Sequence, residues 1–133
     1  MGPILFIIYV NDLPEVVTSN LWMFADDSKI YCTITSDEDI NRLQEDLHNV
    51  SIWCSKWLMT LNLDKCKCIS FGSCALPMNQ YTISLGDEDT YVARVHEQSD
   101  LGVLFTSNLK FGPHIHHIVQ KGNRCIGLIK RSF

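Results

Sequence analysis

The stretch NLWMFADDSKIYCTI, residues 20–34, restricts what this chain can become more than any other segment. Two adjacent carboxylates, Asp26 and Asp27, interrupt a run rich in aromatic and β-branched residues. Ionised side by side they repel, and burying either without a partner is costly. The pair therefore belongs where water or a cation can reach it. A tight turn between two strands meets that need, so the segment predicts a β-hairpin with the carboxylates at its tip, Asp tolerating the unusual backbone of such a turn. On these residues alone a solvated turn and a cation site both stay open.

The flanking sequence supplies elements for such a hairpin to pack against. Ser36 is an N-cap candidate followed by Asp37, Glu38 and Asp39, acids that suit the first turn of a helix. Ile40, Leu43, Leu47, Val50, Cys54 and Trp57 then recur at three- and four-residue steps, the apolar stripe of a long amphipathic helix. Upstream, Gly2-Pro3 opens an apolar run from Ile4 to Val10. Pro3 favours a helix start and Pro14 an end near Leu13, which predicts a buried helix, with a buried strand as the alternative that periodicity leaves open. Downstream, NLDKCKCISFG reads as a turn and a buried strand from Cys66 to Phe71, stopped by Gly72. Turn signals at Pro77 and Gly86 predict a peripheral hairpin, and Leu101 to Leu104 another short strand. Pro113 starts a helix with an apolar side of Ile115, Ile118, Val119, Ile126, Ile129 and Phe133. The expected class is α+β: an antiparallel sheet around the Asp26-Asp27 hairpin, covered by the Ser36–Trp57 helix, with a small hairpin and a cationic C-terminal helix attached.

A chain of 133 residues with 46% hydrophobic and 20% charged residues has the make-up of one globular domain. Its net charge of −4 conceals an asymmetry. From Ser107 onward lie five of the 11 basic residues (Lys110, Lys121, Arg124, Lys130, Arg131) and none of the 15 acidic ones, leaving a balance of −9 elsewhere. The sign change places a weak boundary near Thr106-Ser107, giving segments 1–106 and 107–133. The cationic tail is either a solvated helix face or a surface for a polyanion such as nucleic acid. The apolar run near the N-terminus lacks the basic flank and cleavage site of a signal peptide, and no apolar stretch approaches the roughly 20 residues of a membrane span. The six cysteines are accordingly read as reduced thiols of an intracellular protein, nuclear or cytoplasmic, without a membrane partner. Cys66-x-Cys68 and His114-x-His116-His117 lack the paired spacing of a zinc site.

Taken in order, the motifs GPILFIIYVNDLP, FADD, WCSKW, LNLDKCKCISF, DLGV and LKFGPHI resemble the reverse transcriptase of non-long-terminal-repeat, LINE-like retrotransposons. The resemblance covers nearly the whole chain and is least distinctive between Ser73 and Arg94. It implies that segment 1–106 is part of a polymerase palm and that 107–133 begins the thumb. It further implies that Asp26, as principal ligand, and Asp27, as its support, hold catalytic Mg²⁺, with two ions in the complete enzyme. Lys65 falls where the family places a lysine near the triphosphate, although an ordinary surface lysine is an equal reading. Gly2 would lie near the incoming nucleotide. Gly102, in a primer-grip-like strand, would allow close approach to nucleic acid, and Lys121, Arg124, Lys130 and Arg131 would follow template–primer phosphates. The implied partners are an RNA template, a DNA primer and deoxynucleoside triphosphates.

Departures from the family pattern matter too. The family carries fingers, an earlier palm strand with another metal-binding aspartate, and a longer thumb. This sequence opens inside a motif, at Met1, where the family more often has leucine. The expectation is a fragment of an RNA-directed DNA polymerase, inactive alone, with a non-catalytic nucleic-acid-binding remnant as the alternative. Oligomeric state is not legible.

Overall fold

The computed structural model describes residues 2–72, 80–86 and 88–132, and these form helices and short antiparallel strands, an α+β arrangement. They fall into two compact units. One contains the described residues up to Cys66 together with 80–93, the other Lys67 to Gly72 together with 94–132.

In the first unit, helix α1 (Gly2–Tyr9) has Pro3 in its first turn, where a missing N–H costs nothing. The buried helix expected here is only partly so. Phe6 packs on the core and Val10, just past the end, is buried, whereas Ile4, Leu5, Ile7 and Ile8 are 59 to 67% exposed. α1 also ends at Tyr9, earlier than expected. Asn11 and Leu13 donate to the carbonyls of Ile8 and Val10, tighter bonds that unwind the α-helix. Pro14 then sits in the first turn of a 3₁₀ segment, Leu13–Val16.

Helix α2 (Asp37–Lys56) carries the core. It starts after Ser36, as expected. Asp39 accepts from the backbone N–H of Thr35 (2.8 Å) and Ser36 (3.0 Å) and from the Thr35 hydroxyl (2.7 Å). Those bonds, Thr35's first, hold its carboxyl far below the usual range. Along the predicted stripe Ile40 and Cys54 are buried, and Leu43, Leu47, Val50 and Trp57 half-buried. Trp53 joins Val10, Leu13 and Cys54 in the central cluster, its indole N–H donating to Asp12 Oδ1 at 3.2 Å. Burial raises the Cys54 thiol pKa, with a smaller push from Cys66. The helix ends in a Schellman motif: Leu58 N–H donates to Ser55 (3.3 Å) and Met59 N–H to Cys54 (2.8 Å). This puts Leu58 at φ +55°.

Strands β1 (Asn20–Phe24) and β2 (Asp27–Tyr31) form the expected hairpin. Leu21 and Met23 pack on the central cluster, while Trp22 and Phe24 alternate outward. The small hairpin predicted around Gly86 is present as β4 (Thr82–Leu85) and β5 (Glu88–Tyr91), with Gly86 at φ +68° in its turn; the turn expected at Pro77 lies outside the described residues. β4 runs against α2, where the Gln44 amide donates to the Thr82 carbonyl and accepts from its N–H, both at 2.9 Å. Tyr81 and Ile83 are buried there.

In the second unit, the expected Cys66–Phe71 strand contracts to β3 (Lys67–Cys68), which pairs with β6 (Ala93–Arg94) and is half-buried at Cys68 rather than buried throughout. Burial raises the Cys68 thiol pKa, partly offset by the Arg94 charge. Strands β7 (Glu97–Asp100) and β8 (Val103–Thr106) form a hairpin closed by Leu101-Gly102. Leu101 and Gly102, expected within a strand, are thus its turn, both with positive φ, +46° and +83°. Helix α3 (Gly112–Ser132) begins one residue before the expected Pro113, with its apolar stripe in water: Ile115, Ile118, Val119, Ile126 and Ile129 are each more than half exposed. Phe133 lies outside the described residues. His114 Nδ1 accepts from Leu104 N–H at 3.2 Å, and Phe111 meets Phe105 edge-on at 6.3 Å.

The single sheet expected around the carboxylates is therefore, among the described residues, four separate two-stranded pairs. The β1–β2 and β7–β8 pairs are closed by two-residue turns, so each of those strands finds its partner next door in sequence. Cys32, Cys54, Cys68 and Cys125 are free thiols.

Candidate functional site

The tip of the β1–β2 hairpin brings together the two predicted carboxylates, Asp26 and Asp27. Phe24 pairs with Asp27, so the loop is Ala25-Asp26 and Asp27 is the first residue of β2. The unusual backbone falls on Ala25, at φ +53°, and not on an aspartate as expected. Its small Cβ limits the cost, of order 1 kcal/mol for an L-residue in that region. Asp26 and Asp27 are both exposed. Their mutual repulsion is weakened by water, and their oxygens are open to a ligand. Among the described residues no group of three or more His, Cys, Asp or Glu could cage a metal. Two hard carboxylates on a short loop nonetheless fit Mg²⁺, which keeps much of its shell for water and phosphate oxygens and takes one or two carboxylates from the protein.

Strand register fixes what surrounds the pair. Trp22 lies opposite Lys29, and Asn20 opposite Tyr31, so Trp22, Phe24, Asp27, Lys29 and Tyr31 share the outer face. Trp22 and Tyr31 meet edge-on at 5.9 Å. Leu21, Met23, Ser28 and Ile30 form the inner face. β1 is tied to α2 by Asp46, fully buried on the helix. Its Oδ1 accepts from Thr18 N–H (2.7 Å) and the Thr18 hydroxyl (3.0 Å), and its Oδ2 from Ser19 N–H (2.9 Å). Burial alone would raise its pKa, but the bonds from Ser19 and Thr18 outweigh that and hold it below the usual value.

The other predicted residues stand elsewhere. Lys65 is exposed in the turn after α2, its backbone N–H held by the Asn62 carbonyl at 3.1 Å. Gly2 opens α1 with nothing within 4 Å of where a Cβ would be, so no packing within this chain requires glycine there. Gly102 likewise has open space, and its turn geometry accounts for it. Lys121, Arg124, Lys130 and Arg131 are all exposed on α3, a helix with no acidic residue. Among the described residues neither Lys65 nor Gly2 is hydrogen-bonded or ion-paired to the two carboxylates. Sequence reasoning missed Asp46. Its signal was available: Leu43, Asp46, Val50 and Trp53 recur at steps of three and four, placing an acid on the apolar side of α2.

With a mixed α+β fold and paired carboxylates on a hairpin tip in view, the comparison with known proteins is direct. The description "Reverse transcriptase (RNA-dependent DNA polymerase)" matches residues 1–111, and the chain belongs to that family. Two curated relatives come from flies. The chain is 25% identical over 126 aligned residues to a probable RNA-directed DNA polymerase from transposon BS of Drosophila melanogaster, covering 86% of this chain and 14% of the relative. It is 28% identical over 130 to an RNA-directed DNA polymerase from mobile element jockey of Drosophila funebris, covering 86% and 13%. The chain thus spans about one seventh of the length of these relatives. No solved structure matches it significantly. Among the described residues no helix is long and apolar enough to cross a membrane.

Proposed function

We propose that these residues are the palm and the start of the thumb of an RNA-directed DNA polymerase from a non-long-terminal-repeat retrotransposon, and that the 133-residue chain does not polymerise on its own. The observation that carries the reading is the exposed Asp26-Asp27 pair at a two-residue hairpin turn, inside the span that matches the family. Asp26 and Asp27 would hold divalent metal. Metal held there would supply charge neutralisation for a triphosphate and Lewis-acid activation of a primer 3′-hydroxyl. Lys65 places a mobile ammonium beside the leaving pyrophosphate and stabilises its charge. Gly2 leaves room for the incoming nucleotide at the start of α1, and Gly102 for the primer. The inactivity follows from the ligand set. Two carboxylates, with no third acid to join them among the described residues, leave the metal loosely held.

The test has two arms. Mn²⁺ titration of the isotopically labelled chain should broaden the Asp26 and Asp27 amides first, and Asp26→Asn should abolish this; broadening elsewhere instead would refute the metal reading. Primer extension on an RNA–DNA hybrid with Mg²⁺ should give no product, and robust incorporation would refute inactivity. A second reading, a non-catalytic nucleic-acid-binding remnant, is favoured by the four exposed cations of α3. It predicts duplex binding whose affinity falls with salt at a logarithmic slope of about −3 to −4, reduced when those four are neutralised.

A further inference from the structure

The β1–β2 hairpin has two faces that could each enter a core. The inner one offers Leu21, Met23 and Ile30, with Ser28. The outer one offers Trp22, Phe24 and Tyr31, with Asn20, Asp27 and Lys29. Four consecutive large apolar residues, Leu21 to Phe24, erase the alternation that normally sets which side is buried. By area the aromatic face is the stronger claimant, since each ring buries more surface than an aliphatic side chain. The structure nevertheless leaves Trp22 68% and Phe24 59% exposed. Sliding β1 one residue along α2 would exchange the faces and carry Asp27, which shares the outer one, toward the core.

We propose that Asp46 is the positioning residue that prevents this exchange. Both its oxygens are committed to consecutive N–H groups, Thr18 and Ser19, in a bend immediately before β1 begins at Asn20. The third bond uses the Thr18 hydroxyl, which a one-residue shift that brings Val17 to its place would lose, while a shift the other way brings the Ser19 hydroxyl instead. A slip toward Val17 would leave a fully buried carboxylate short of a donor, and a slip toward Asn20 would move the bend into the strand. Asp46 thereby sets the register of β1 against α2, a use of buried polarity for specificity rather than net stability. The functional half of this inference, that Asp46 keeps Asp27 available to metal, rests on the reading proposed above.

The test uses the full chain labelled with 5-fluorotryptophan, the Trp22 resonance being assigned with Trp22→Phe. In the wild type Trp22 should give one resonance with a full solvent-isotope shift. In Asp46→Asn, folded by circular dichroism, a second Trp22 resonance lacking that shift should appear. If the exchanged form holds about four fifths of the molecules, Mn²⁺ broadening at Asp26 and Asp27 should need about fivefold more metal. A folded Asp46→Asn chain with a single exposed Trp22 resonance overturns the proposal. Absence of Mn²⁺ broadening in the wild type removes the functional half, while the Trp22 resonances still decide the register. Should Asp46→Asn not fold, Asp46→Asn with Trp22→Thr restores an alternating pattern. Recovery of a fold with Met23 against the core cluster supports the proposal, and failure of that variant also to fold overturns it.

Discussion

The C-terminal cap of α2 supplies a perturbation whose size can be worked out in advance. Leu58 occupies the left-handed position of the Schellman motif, at φ +55°, with its side chain 92% exposed. An L-residue there costs about 1–2 kcal/mol. Leu58→Gly removes that cost and loses almost no buried surface. Against it stands the greater freedom of glycine in the unfolded chain, about 0.5–1 kcal/mol. The net expectation is stabilisation by about 0.5–1 kcal/mol, a rise in Tm of roughly 2–4 °C at this chain length. Urea unfolding followed by circular dichroism measures it. Leu58→Ala is the control, because it keeps the Cβ and with it the strain, and should stay within about 0.3 kcal/mol of wild type. A destabilised Leu58→Gly chain would refute the reasoning. So would an equal gain from Leu58→Ala, which would assign the effect to the exposed leucyl group instead of the backbone.

Other expectations concern the core and its polar ties. Trp53→Ala, at a site 4% exposed with an indole bond to Asp12, should cost about 3–5 kcal/mol and lower the urea midpoint accordingly. Because Asp46 has a depressed pKa when folded, its contribution is fully present above the unfolded value near 4 and is lost as pH falls through the folded value. The urea midpoint should therefore hold from about pH 7 to 5 and fall below about pH 4, with a shallower fall in a folded Asp46→Asn chain. His114→Ala removes the acceptor of Leu104 N–H, so that amide should exchange with solvent faster while those of β1 are unchanged.

What the sequence disclosed followed the range of the forces involved. The α2 stripe, its Ser36 start, the hairpin at the carboxylates and the Pro113 helix all arise from contacts within a few residues, and all were legible. The helical state of α1 was legible too, but its burial was not, because a run such as Ile4 to Val10 advertises burial while only a partner can supply it, and here Phe6 and Tyr9 meet the cluster while Ile4, Leu5, Ile7 and Ile8 stay exposed. The strand expected at Leu101-Gly102 became a turn because two positive φ angles favoured a hairpin over extension. At the candidate site the acid pair was read correctly as a hairpin tip. Asp46 escaped because its donors, Thr18 and Ser19, are 28 and 27 residues away and carry no periodic signature.

Helix α3 is held to β8 chiefly through its opening turn, at His114 and Phe111, and none of its residues is buried. Beyond that foothold its persistence depends on backbone propensity, which Gly122 and Gly127 lower by about 1 kcal/mol each. Its distal turns should therefore unwind in small local excursions that leave the strands beneath intact. Trypsin would register this as early scission after Lys130 and Arg131 and then after Arg124, trimming the helix from its far end.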